Sequence, residues 1–125
     1  MKPIHSRAHG ILDYLVGVVL IIAPSLFGFA DGPERWVPII LGITTIVYSL
    51  LTDYELGAIR VLPFRAHLII DAFSGVFLAL SPWLFGFADR MIAPHLILGL
   101  AEIGVVMLSR PYVDTPRTSG PIHAR

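Results

Sequence analysis

Four apolar runs, separated by short polar breaks, dominate the chain. They cover residues 9–30, 36–52, 67–88 and 91–109, each close to the roughly 17 to 25 residues that a helix needs to cross a bilayer. The breaks at 31–35, 53–64 and 89–90 concentrate Asp, Arg, Gly and Pro, the residues that punctuate helices. The pattern predicts an all-α protein, a four-helix transmembrane bundle. The break at 89–90 is so short that it predicts a tight antiparallel hairpin between the third and fourth helices. From 111 to 125 the chain carries three prolines and no apolar period, which predicts a disordered tail beyond a membrane domain at 1–110.

Composition agrees with the pattern. Of 125 residues, 55% are hydrophobic and 14% charged, against about 25% charged in a typical soluble domain. A soluble chain this small has a large surface for its volume and must cover it with polar groups. The lipid bilayer is therefore the expected partner. Nine basic residues balance nine acidic ones, which gives no support to nucleic-acid binding. The absence of cysteine excludes disulfides, thiolate metal sites and Cys nucleophiles.

Orientation follows from the positive charges. Lys2, Arg7, Arg60, Arg65, Arg110, Arg117 and Arg125 fall on one side, and Arg35 and Arg90 on the other. This predicts a multi-pass inner-membrane protein with both termini, and hence the tail, in the cytoplasm.

Shifting the chain by 58 residues lays 7–31 over 65–89 with 15 of 25 positions identical. The matches include Arg7/Arg65, His9/His67, Asp13/Asp71, Gly17/Gly75, Pro24/Pro82, Gly28/Gly86 and Asp31/Asp89. Shared apolar composition does not reproduce Arg, His, Asp and Pro in register, so the chain is a tandem duplication. Repeat one runs over about 7–53 and repeat two over about 65–110. Because the first helix recurs internally, it is expected to be retained rather than cleaved as a signal peptide. With two crossings per unit, both copies enter from the same side, as parallel repeats do about an axis along the membrane normal.

Ser81, Pro82 and Trp83 followed by Gly86, with Ala23, Pro24, Ser25 and Gly28 as the degenerate first copy, resemble the SPW-repeat family of small bacterial membrane proteins. The resemblance covers roughly 5–110 and implies a membrane location and this helical fold. It implies no activity. Within the bundle, Pro24 and Pro82 remove backbone hydrogen bonds and bend their helices, and Trp83 suits an interfacial anchor.

The polar residues inside the apolar runs are the candidate chemistry. His9/Asp13 and His67/Asp71 are i,i+4 pairs that share a helix face. One reading is a pair at each helix entry that fixes the helix at the interface. The other brings both pairs together into a two-His, two-Asp cluster that could hold a metal, relay protons or, through His9 and His67, ligate haem. Glu102 is a carboxyl deep in the fourth run, whose repeat partner is Thr45; such groups are functional candidates. The alternative is a protonated Glu bonded to Thr44, Thr45, Ser49 or Ser74. His95 is expected at the interface. Gly17/Gly75 and Gly28/Gly86 are expected to allow close helix packing.

No phosphate loop, zinc-protease motif or nucleophile elbow occurs, so no enzyme and no cofactor is expected. The leading expectation is a structural or accessory membrane subunit that self-associates or joins another membrane protein. The alternatives are a small transporter or proton conductor using Asp13, Asp71 and Glu102, and a haem- or quinone-binding redox subunit.

Overall fold

The computed structural model describes residues 2–114. Four helices follow in order: α1 (Ser6–Leu26), α2 (Pro33–Leu50), α3 (Phe64–Leu84) and α4 (Ala93–Leu108). No strand forms among the described residues. α1 packs on α2, α3 on α4, and α2 on α3. Of these, α1 and α3 are long and apolar enough to cross a membrane, and α4 is a shorter apolar helix.

The helix starts are written locally. The His5 side chain accepts the Ala8 N–H at the head of α1, and α2 and α4 carry proline in their first turn, where its missing N–H costs nothing. The ends differ from the expected runs. α1 stops at Leu26 and α3 at Leu84 because Gly28 and Gly86 take φ of 65° and 72°. The Phe29 N–H then reaches the Pro24 carbonyl, and the Phe87 N–H that of Pro82, each at 2.8 Å, closing matched left-handed caps. Gly28 and Gly86 are therefore turn residues with open space around them, not packing positions. The early stop also lengthens the α3–α4 connection to residues 85–92, in place of the two-residue break read from the sequence.

Gly17 and Gly75 do allow close packing. A Cβ on Gly42 would lie 2.6 Å from the Gly17 carbonyl oxygen, and one on Gly75 would lie 2.9 Å from that of Gly99. The two hairpins thus cross at the same glycine pair in each repeat.

The duplication also closes the bundle. Ile4 bonds Leu108 and Arg110 through its backbone N–H and carbonyl, while Leu62 bonds Leu51 and Asp53 in the same way. The segment before α1 therefore pairs with the end of α4, and the segment before α3 with the end of α2. Of the expected tail, residues 111–114 run against the N-terminus. Asp114 Oδ2 accepts the Ser6 N–H, and the Asp114 N–H donates to Ser6 Oγ, both at 2.8 Å. Residues 115–125 lie outside the described residues.

Large apolar side chains cover the outside, among them Leu15, Ile22, Ile43, Ile69, Phe73 and Ile97. Inside, Leu20, Val37 and Leu78 form one apolar cluster, and Tyr54, Phe64 and Leu68 another near the helix starts. The remaining interior is unusually polar: His9, Asp13, His67, Asp71, Thr45, Ser49 and Thr52 are all buried.

Candidate functional site

His9 and Asp13 lie one turn apart on α1, and His67 and Asp71 one turn apart on α3. Between the helices the partners cross over. His9 Nε2 is 2.8 Å from Asp71 Oδ2 and 3.1 Å from Asp13 Oδ1. His67 Nε2 is 2.9 Å from Asp13 Oδ2 and 3.1 Å from Asp71 Oδ2. Of the two sequence readings, the arrangement is the converging cluster: both imidazoles are fully buried, and both carboxylates are buried.

A second layer fixes each ring. Thr52 Oγ1 donates to the Tyr48 carbonyl at 2.6 Å and sits 2.7 Å from His67 Nδ1. Ser109 Oγ donates to the Val105 carbonyl at 2.5 Å and sits 2.7 Å from His9 Nδ1. With each hydroxyl proton committed to a carbonyl, the oxygen accepts, and Nδ1 of both histidines carries the hydrogen. Nε2 is left to face the carboxylates. Tyr54 donates to Asp13 Oδ2 at 2.8 Å, and Tyr48 donates to Asp71 Oδ1. Phe64 packs its ring against both imidazoles.

Sequence reasoning missed this second layer. A signal existed: Thr52 and Ser109 occupy matched places in the two repeats, just past the ends of α2 and α4, once the single deletion in the second unit is applied. Tyr48 and Tyr54 break the symmetry and had no repeat signal, since Tyr48 aligns with Val105.

Residues 7–109 match the family model described as the SPW repeat domain. The chain belongs to the SPW repeat family. No curated protein and no solved structure matches it. In this SPW protein the motif residues divide by burial. Ser81 is buried and bonds the Leu78 carbonyl through Oγ at 2.7 Å, Pro82 is buried, and Trp83 is exposed on the outer wall. The SPW tripeptide thus ends a helix, and the His–Asp quartet lies at the other end of the same helix.

Glu102 borders the quartet without joining it. With Asp13, Asp71 and Thr45 it lines a cavity of about 50 Å³. Its Oε2 is buried with no hydrogen-bond partner, so the bond of the alternative reading, from Glu102 to Thr44, Thr45, Ser49 or Ser74, is not made at that oxygen. Thr44 itself points outward.

At the opposite end a further polar set forms. Glu34, in the first turn of α2 before the apolar run begins at Trp36, is buried. Arg90 clasps it with Nε to Oε2 at 2.7 Å and Nη2 to Oε1 at 3.3 Å. Hydrogen bonding from Arg90 holds the Glu34 carboxyl below the usual range for glutamate, against the opposing effect of burial. His95 donates through Nε2 to the Glu34 carbonyl at 3.0 Å and packs among Phe29 and Phe87. His95, expected at an interface, is instead a buried connector between the repeats. Glu34 was not singled out in the sequence because it reads as part of a polar break.

The geometry gives haem no support. The His9 and His67 rings stand edge to face with centroids 5.4 Å apart, and both Nε2 atoms turn to carboxylates. A macrocycle ligated by both rings needs far more room than this spacing leaves.

Proposed function

We propose that this SPW repeat protein is a multi-pass inner-membrane protein with both termini cytoplasmic, acting as a non-enzymatic structural or accessory subunit. One observation carries the reading: large apolar side chains cover the outside of the helices while His9, Asp13, His67 and Asp71 lie within. In water this distribution would be costly, since apolar area is driven inward at about 25 cal/mol per Å². In lipid the outer wall needs no burial, and an unpaired intramembrane carboxylate is the expensive group. Pairing Asp13 and Asp71 with histidines of both repeats relieves that cost and ties the two hairpins together.

Reporter fusions test the topology. A fusion at Arg125 is expected to report cytoplasm and one in the 27–32 connection the opposite side; a periplasmic report from Arg125 overturns the orientation. Native mass after mild detergent extraction tests the subunit role. A species well above one 13.7 kDa chain is expected, and a detergent-solubilised monomer without companions overturns it.

A second reading, proton conduction, is favoured by the cavity that joins Glu102 to Asp13 and Asp71. A space of that size accommodates ordered water. Proteoliposomes are expected to show proton flux that Glu102→Gln removes; absence of flux from the unaltered chain eliminates this reading.

A further inference from the structure

We infer that the His9–Asp13–His67–Asp71 quartet is a binding site for one divalent transition-metal ion, of the zinc type, held by two imidazole Nε2 atoms and two carboxylate oxygens. The inference is independent of the membrane topology and of the subunit role.

Geometry is the first support. One donor atom from each of the four residues falls within a 4.8 Å span. Tetrahedral zinc with bonds of about 2.0–2.1 Å spaces its ligand atoms roughly 3.3 Å apart. With one oxygen from each carboxylate, His9 Nε2 lies 2.8 Å from Asp71 Oδ2, and His67 Nε2 lies 2.9 Å from Asp13 Oδ2 and 3.1 Å from Asp71 Oδ2. Seating an ion therefore asks these short contacts to open by a few tenths of an ångström and the wider spacings, up to 4.8 Å, to close.

The donors are also aimed and tuned as ligands. Hydroxyls of Thr52 and Ser109 fix hydrogen on Nδ1 of each histidine, which points the Nε2 lone pair inward, as the outer shells of metal-bound histidines do. Tyr48 occupies the outer oxygen of Asp71 and leaves Oδ2 toward the imidazoles. His67 Nε2, fully buried and aimed into the quartet, makes no well-directed hydrogen bond there. A lone pair so placed against two carboxylates is offset by a cation there, either a metal ion or a proton on Nε2.

Charge selects the ion. Two neutral imidazoles and two carboxylates sum to minus two, so a doubly charged ion gives a neutral site in a region of low dielectric, where net charge is costly. Mixed nitrogen and oxygen donors in a four-membered set suit zinc or cobalt better than magnesium or calcium, which prefer six or more oxygens. A proton on each Nε2 is the competing occupant.

The full chain, purified in detergent and stripped with chelator, is titrated with Zn²⁺ and, separately, with Co²⁺. One Zn²⁺ per chain is expected, with the intense visible absorption of four-coordinate Co²⁺. Asp71→Asn and His67→Gln are expected to weaken binding by at least about 100-fold. Thr52→Val, which leaves all four ligands in place, is expected to weaken it about 10-fold, on the scale of lost outer-shell support. His5→Asn, which removes an exposed imidazole near the same end, is expected to change nothing. Folding of every variant is checked by circular dichroism and melting. The proposal is overturned if the folded unaltered chain takes up no Zn²⁺ at micromolar free ion, if Co²⁺ gives only weak six-coordinate bands, if folded Asp71→Asn binds as tightly as the unaltered chain, or if His5→Asn abolishes binding.

Discussion

His9 Nε2 lies closer to Asp71 of the other repeat, at 2.8 Å, than to Asp13 on its own helix, at 3.1 Å. His67 repeats the relationship, at 2.9 Å to Asp13 and 3.1 Å to Asp71. The motif duplicated along the chain is completed only across the repeat interface. Each hairpin alone would leave a histidine and a carboxylate facing apolar surroundings, so the polar centre favours joining the two units.

Asp71→Asn should destabilise the protein by about 3 kcal/mol, the scale on which removing one partner leaves a buried ionic group uncompensated. Asp31→Asn, whose carboxylate is fully exposed beside Arg35, should leave stability unchanged. Thermal or denaturant unfolding in one detergent compares the two. Equal effects would show that the quartet is no more coupled than a surface pair.

Ser109→Ala and Thr52→Val should each cost about 1–2 kcal/mol, because a buried Nδ1–H loses its acceptor. Nitrogen NMR of labelled histidine reads the cause directly. In the unaltered chain both Nδ1 atoms should carry hydrogen; each variant should disturb only its own histidine, His9 for Ser109 and His67 for Thr52.

Gly99→Ala should lower stability by roughly 1–3 kcal/mol, as overpacking does, since its Cβ would meet the Ala79 nitrogen and the Gly75 carbonyl oxygen at 2.5 Å. Gly104→Ala, with open space around it on the same helix, should be neutral or stabilising by up to about 1 kcal/mol through helix propensity. Melting temperatures that move together would contradict the glycine crossing.

Acid should release the Glu34 clasp. The folded carboxyl is held below its ordinary value by Arg90, so its contribution is complete above the unfolded value, near 4.3, and is lost as pH falls through the lower folded value. The stability gap between the unaltered chain and Glu34→Gln should therefore be constant near neutrality and close below about pH 4. Melting curves from pH 7 to pH 3 test the sign; a gap that widens on acidification would refute the assignment.

Much of this protein was legible in the chain itself. Apolar runs of membrane length gave the four helices, because a helix satisfies its own backbone and its side chains only need to suit their solvent. Repetition of Arg, His, Asp, Pro and Gly at a fixed offset gave the duplication, and with it the list of residues at the centre. The helix ends were less legible. Whether Gly28 and Gly86 pack or turn depends on a backbone angle, and the left-handed choice shortened α1 and α3 and opened the connection at 85–92. Tertiary structure alone decided the partnerships. Periodicity shows that His9 and Asp13 share a face of α1, but not that this face meets its copy on α3, since both arrangements satisfy the same spacing. The roles of Thr52, Ser109, Tyr48 and Tyr54 depend on where the helix ends and the 51–63 connection fold back. Glu34 is the sharpest case. In sequence it is one charge in a polar break; in space it is buried, because Arg90, 56 residues away, returns to the same end of the bundle and supplies the hydrogen bonds that burial demands.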